Sequence, residues 1–182
     1  MMTQAPGKEG KVDVGQAIRK RRSIRKFSSD PLTEEEVREI ITAGVWAPSA
    51  GNAQPWKFIV VRDAALKDKL VAVAHGQRFV AEAPVVIVVC ADVGRARRAY
   101  GERGATLYCL QDTAAATQNI LLAATAKGYG TCWVGAFDEE KAREVLNLPP
   151  GLRAVALVPV GKPREEPEPR SRRPLHEVVE HR

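Results

Sequence analysis

The chain has 182 residues, of which 45% are hydrophobic and 27% charged, and carries a formal net charge of +6. This length and balance suit one globular domain, read as 1–182, with a core of its own. No stretch is long and apolar enough to suggest a bilayer span, and the spacing of Cys90, Cys109 and Cys132 argues against a disulfide framework. His75, His176 and His181 show no ligand spacing, so no metal is expected. The first residues lack the apolar segment of a signal peptide, which makes a cytoplasmic location the expectation.

In chain order, residues 1–12 are expected to be a flexible N-terminus. Asp13 is placed to cap a short helix carrying Val14, Ala17 and Ile18, which ends near a run of arginines. Thr33-Glu34-Glu35-Glu36 reads as a capping box opening a helix with Val37, Ile40 and Ile41 on one stripe, stopping near Gly44. Ala47 to Pro55 is a loop by composition, Lys57 to Val61 a strand, and Asp63 to Val73 a helix. Pro84 to Ala91 is a strand with almost no polar alternation, which predicts burial on both sheet faces and helices on either side. Val93 to Gly104 reads as a short connection.

Ala105 to Lys127 predicts a long helix stopped by Gly128. Its apolar residues, among them Leu107, Leu110, Ala114, Ala115, Leu121 and Leu122, spread around the circumference, which points to an interface with a second subunit. Thr131 to Val134 and Leu152 to Val160 read as strands, with a short helix capped by Asp138 between them. The proline-rich, charged remainder, 163–182, is expected to be an extended arm.

Two segments carry chemistry. Arg21-Arg22-Ser23-Ile24-Arg25-Lys26-Phe27 gathers guanidinium groups and a hydroxyl where a helix ends. Guanidinium forks bind phosphate oxygens through paired hydrogen bonds, and a serine hydroxyl completes such a cage. The competing reading is a solvated basic face or a nucleic-acid patch, although no exposed aromatics are interleaved with the charges. Ala47-Pro48-Ser49-Ala50-Gly51-Asn52-Ala53-Gln54-Pro55-Trp56 follows. Turn formers are ordinary in a loop, but Asn52 and Gln54 offer both donors and acceptors to the edge of a polar ring. Gly128-Tyr129-Gly130 lies after a helix and before a strand, the reverse of a dinucleotide-binding turn, and reads as a helix stop. Cys132 has no histidine partner nearby and reads as a buried, inert thiol; Trp133 reads as core or interface.

With Val160-Gly161-Lys162-Pro163 and Arg170-Ser171-Arg172-Arg173-Pro174-Leu175, these landmarks in this order resemble the FMN-dependent nitroreductase family, from about Asp13 to Val179. The resemblance implies an α+β fold: an α/β/α sandwich with a central mixed, mainly antiparallel sheet and an extended C-terminal arm. It implies a homodimer with FMN at the subunit interface, and NADH or NADPH passing hydride through the flavin to a nitroaromatic, quinone or related acceptor. Arg21, Arg22, Ser23 and Arg25 are then expected to contact FMN, with Arg170 and Arg172 closing on its phosphate. Pro48, Ser49, Ala50, Asn52 and Gln54 are expected to reach the flavin of the partner subunit. Cys132, Trp133, Val134 and Gly135 are expected to lie along the ring. The chemistry belongs to the cofactor, so no catalytic side chain is implied. Ala50 departs from a frequent serine, and the short Val93–Gly104 region departs from members with lid helices. A flavin-dependent dehydrogenase or oxidase of a specific metabolite, and a basic nucleic-acid-binding protein, are the alternative functions.

Overall fold

A computed structural model describes residues 13–182; the flexible stretch expected over 1–12 lies outside them. Helix α1 (Val14–Lys20) starts where the Asp13 carboxylate accepts from the Gln16 N–H at 2.8 Å. Helix α2 (Glu34–Val45) opens on the anticipated capping box, Thr33 and Glu36 each satisfying the other's backbone. Strand β1 (Trp56–Val61) leads to α3 (Ala64–Val73), capped by Asp63, and to a single helical turn, α4 (Phe79–Glu82). Buried Lys67 ties that turn down, its ammonium donating to the carbonyls of Ala81 (3.1 Å) and Ala83 (2.7 Å). Strand β2 (Val85–Asp92) follows, then α5 (Val93–Arg103), a π-helical turn over Gly104–Tyr108, α6 (Cys109–Ala126) and β3 (Gly130–Thr131). Helix α7 (Glu139–Val145) and β4 (Leu152–Gly161) complete the body.

The strand order is β1-β2-β4-β3 and every ladder is antiparallel. Parallel pairing among the described residues is confined to an isolated bridge between Ser23 and Thr131, so the expected mixed sheet is antiparallel in its strands. The unbroken apolar character of β2 has the anticipated cause. Val86, Val88 and Cys90 face a core with Leu70 and Val73 of α3 and Ala142 of α7, while Val85, Ile87 and Val89 face one with Ile40 of α2 and Ile120 and Leu121 of α6.

Three expectations need correction. The strand predicted over Thr131–Val134 ends at Thr131, and pairing resumes only as an isolated Val134–Leu157 bridge. The register that joins Gly130 to Gly161 and Thr131 to Val160 sets Pro159 opposite Cys132. Pro159 has no N–H to give, so the ladder opens there. The supposed connection Val93–Gly104 contains an 11-residue helix, kinked at Tyr100 and at Gly101, whose φ is +57°. Only Ala96 of this helix is buried, so it carries no apolar stripe to be read. The long helix begins not at Ala105 but at Cys109, after the π turn. Beyond Pro163 the arm holds one 3₁₀ turn, Leu175–Glu177.

Candidate functional site

The arginine segment leaves α1 in extended form and is stitched to the sheet. Ser23 bridges Thr131, and the Ile24 N–H donates to the Thr131 carbonyl at 2.9 Å. Ile24 and Phe27 are buried and serve as anchors. This contact needs glycine at 130: a Cβ there would sit 2.8 Å from Ile24 Cγ1, closer than carbon atoms approach. With Ile24 turned inward, its neighbours Ser23 and Arg25 are left to the opposite side of the extended segment.

A cavity of about 530 Å³ results. It is lined by Ile18, Arg19, Arg21, Arg22, Ser23 and Arg25 on one side and by Pro167, Glu168, Pro169, Arg170 and Arg172 of the arm on the other. Six arginines therefore line one space, and none of them is ion-paired among the described residues. Arg25 lies over the Phe79 ring at 5.7 Å, a contact that leaves its N–H edge available. Glu165 accepts from the Arg25 main-chain N–H at 2.6 Å rather than pairing with its side chain. Arg19 was not among the anticipated residues; its position in the last turn of α1, two residues before Arg21, was the available signal.

Cys132 is brought to the same place. Burial pushes its thiol pKa up, against the pull of Arg25, the Ser23 hydroxyl and Arg21, so it stays protonated at neutral pH. Val134 is buried and paired with Leu157, and Trp133 is partly exposed. Gly135 turns elsewhere, onto a pocket of about 190 Å³ shared with Leu110, Phe137, Glu139 and Arg153. In the anticipated row, Cys132 and Val134 thus pack into the core, while Trp133 is exposed and Gly135 lines the second pocket.

The second segment, Pro48 to Gln54, contributes nothing to the lining of the arginine cavity. It is a tight 3₁₀ turn with left-handed backbone at Gly51 (φ +51°), Asn52 (+55°) and Gln54 (+49°). Such conformations are strained for residues with a Cβ and persist only where neighbours enforce them. Ser49 Oγ accepts from the Gln54 N–H at 3.0 Å, and the Gln54 amide donates to Asn52 Oδ1 at 3.1 Å. Neighbours not anticipated from sequence complete the restraint. Asp112 of α6 accepts from the Ala50 N–H at 3.1 Å, Arg95 of α5 donates to the Ala53 carbonyl, and the Tyr100 hydroxyl lies where a Gly51 side chain would go. Ala50 works through its main chain, so the missing serine hydroxyl leaves that bond intact. The signal for Asp112 was visible: a lone acid in a helix of alanine, leucine and threonine. The other Asp112 oxygen is buried without a partner, and burial raises this carboxyl's pKa.

The sequence model of the nitroreductase family matches residues 18–82 and 71–162. The chain belongs to the nitroreductase family. Among its relatives in that family, the NADH dehydrogenase of Thermus thermophilus is 36% identical over 195 residues, covering 92% of this chain and 95% of that protein. The NADPH-flavin oxidoreductase of Vibrio harveyi is 33% identical over 165 residues, covering 87% and 69%. A solved structure of the NADPH:FMN oxidoreductase from Vibrio harveyi complexed with NAD+ is similar with a TM-score of 0.85 at 30% identity, over 92% of this chain and 76% of that one. A nitroreductase family protein from Streptococcus pneumoniae gives 0.84 at 29% identity, over 93% and 100%. This nitroreductase-family chain has no helix long and apolar enough to cross a membrane, and no His/Cys/Asp/Glu group suited to a metal, among its described residues.

Proposed function

We propose that this chain is an FMN-dependent NAD(P)H oxidoreductase that works as a homodimer and reduces a nitroaromatic, quinone or related acceptor. The observation that carries the reading is the set of six arginines around one cavity with no carboxylate paired to them among the described residues. Unpaired like charges are costly to gather, and a phosphate dianion is the ligand that offsets them. The residues fit the cofactor: the cavity offers forks for a phosphate and the Ser23 hydroxyl beside them, and the Pro48–Gln54 turn displays fixed amides.

In this reading Arg19, Arg21, Arg170 and Arg172 hold the phosphate, while Ser23 and Arg25 address polar atoms further along the flavin. Bound FMN supplies reversible electron acceptance between nicotinamide and the acceptor. The protein's part is orientation and positive charge, with Arg25 held by Phe79 as a fixed cation near the ring. The amides of Asn52 and Gln54 serve the flavin of a second copy, since in their own chain they stand apart from the cavity. The half-buried Leu107 of the π turn and Leu110, Ala114, Ala115 and Leu122 of α6 supply an apolar surface for that copy. Cys132 is held as a neutral packing group.

The test is a visible spectrum of the purified protein, before and after anaerobic NADH or NADPH. Flavin absorption that bleaches on reductant supports the reading. Absorption that persists moves the assignment to a metabolite-specific flavin dehydrogenase, and no flavin even after added FMN removes the cavity's assigned ligand.

A further inference from the structure

Arg22 differs from the other five arginines at the cavity. Its Nη1 donates to the carbonyls of Arg19 (2.7 Å) and Arg21 (3.0 Å), and its Nε to the carbonyl of Pro167 (3.1 Å). Two of these acceptors lie at the end of α1, where helix carbonyls lack intrahelical partners and favour a cation. The third belongs to the arm. One planar guanidinium thus joins the two sides of the cavity through main-chain oxygens, which a single ammonium point charge does not reproduce.

The arm is held to the body by a short series of ties. Ser28 N–H donates to the Lys162 carbonyl (2.9 Å), Phe27 bridges Pro163, Arg164 N–H donates to the Lys26 carbonyl (2.9 Å), and Arg25 N–H donates to Glu165. Among the described residues the Arg22–Pro167 bond comes last, and beyond it the arm's hydrogen bonds are local, with Arg172 donating to the Arg170 and Ser171 carbonyls and Arg173 bonding Glu177. Pro167 and Pro169 have fixed φ and no N–H, so a carbonyl is what they offer for a tie, and the direction set at Pro167 carries on toward Arg170.

We propose that Arg22 is a positioning residue that latches the C-terminal arm to the end of α1 and thereby places Arg170 and Arg172 on the cavity. This departs from direct cofactor contact, the role the family resemblance implies for Arg22. Its consequence for the cofactor rests on the phosphate-site reading above, but the latch itself does not.

Limited trypsin digestion of the full-length protein, with and without FMN, tests it by following release of residues 171–182 by mass spectrometry. Losing a charge-assisted bond raises the open population of a locally unfolding segment, so R22Q should release the peptide about tenfold faster than wild type, with or without FMN. R22K should fall between the two. An unchanged rate without FMN in R22Q, together with weakened FMN binding, would identify a direct ligand and overturn the latch. If R22Q does not fold, R22K carries the test, and a wild-type cleavage rate there overturns it equally. In the FMN-binding protein, neutralising Arg170 and Arg172 should weaken binding less in the R22Q background than in wild type, and full additivity counts against the latch. Failure of the wild type to bind FMN would sink the phosphate reading alone, since the flavin-free cleavage comparison stands apart from it.

Discussion

Asp112 shows how one side chain serves the site at a price in its own solvation. One oxygen fixes the Ala50 N–H at 3.1 Å, and the other is buried without a partner. Burial raises the carboxyl's pKa, so its contribution to stability is complete below the ordinary carboxylate range and is lost as pH rises through the raised value. D112N keeps the acceptor and removes the ionisation. The melting temperature of D112N should therefore match wild type in acid and exceed it at pH 7, measured by calorimetry across that range. A lower D112N melting point at pH 7 would mean that the free oxygen is satisfied by a cation from a second copy. Asp112 was present in the sequence as an oddity, but its target was not legible. The Ala50 N–H is 62 positions away, and hydrogen bonds of that separation leave no local pattern.

At the level of elements, legibility followed local chemistry. The capping box at Thr33 and the helix stop at Gly128 are set within a few residues, and both stand where expected. Helix α5 was missed because it is polar on most sides, and the strand after Gly130 was overextended because its limit, Pro159, lies on another strand. The crossing of α2 and α6 was equally hidden. A Cβ on Gly44 would come within 2.9 Å of Ile120 Cγ1 and 3.3 Å of the Ala116 carbonyl. G44A gains up to about 1 kcal/mol of helix propensity but overpacks a buried crossing by about 1–3 kcal/mol, so urea denaturation should show a net loss of about 1 kcal/mol. A stabilised G44A would show that the two helices separate freely. Tyr129, just after α6, clamps the start of α2 by donating its hydroxyl to Glu36. That bond, with those from Thr33, holds the Glu36 carboxyl at about 2, while burial and Glu36 push the Tyr129 hydroxyl up to about 12. A lowered carboxylate contributes stability above its ordinary value near 4.5, and the contribution fades as pH falls toward about 2. Y129F should accordingly lose stability at pH 6, none near pH 2, and show an acid-unfolding midpoint at higher pH than wild type.

For the whole molecule, the decisive geometry is that the two segments proposed to hold the cofactor do not meet within one chain. The cavity draws on the end of α1 and the arm, whereas the Pro48–Gln54 turn is clamped by α5 and α6 and lines none of it. Meanwhile apolar side chains stay uncovered: Val14 is 71% exposed, Ile18 55% and Trp46 83%, besides the half-buried leucines around α6. Isolated exposed apolar residues are ordinary, and in the homodimer proposed above a second copy would cover them. If a second copy covers it and delivers Asn52 and Gln54 to the flavin, cofactor binding and association are linked equilibria, each strengthening the other. Dilution should then release flavin, with recovery of free-flavin fluorescence and loss of dimer mass in analytical ultracentrifugation sharing one midpoint. Added FMN should move that midpoint to lower protein concentration. Added salt should move it the other way, because a phosphate held in the six-arginine cavity would be an exposed anion that ionic strength screens. Flavin that remains bound to a monomer after dilution would mean that the arginine cavity suffices alone, and that the amides of the turn serve some other contact.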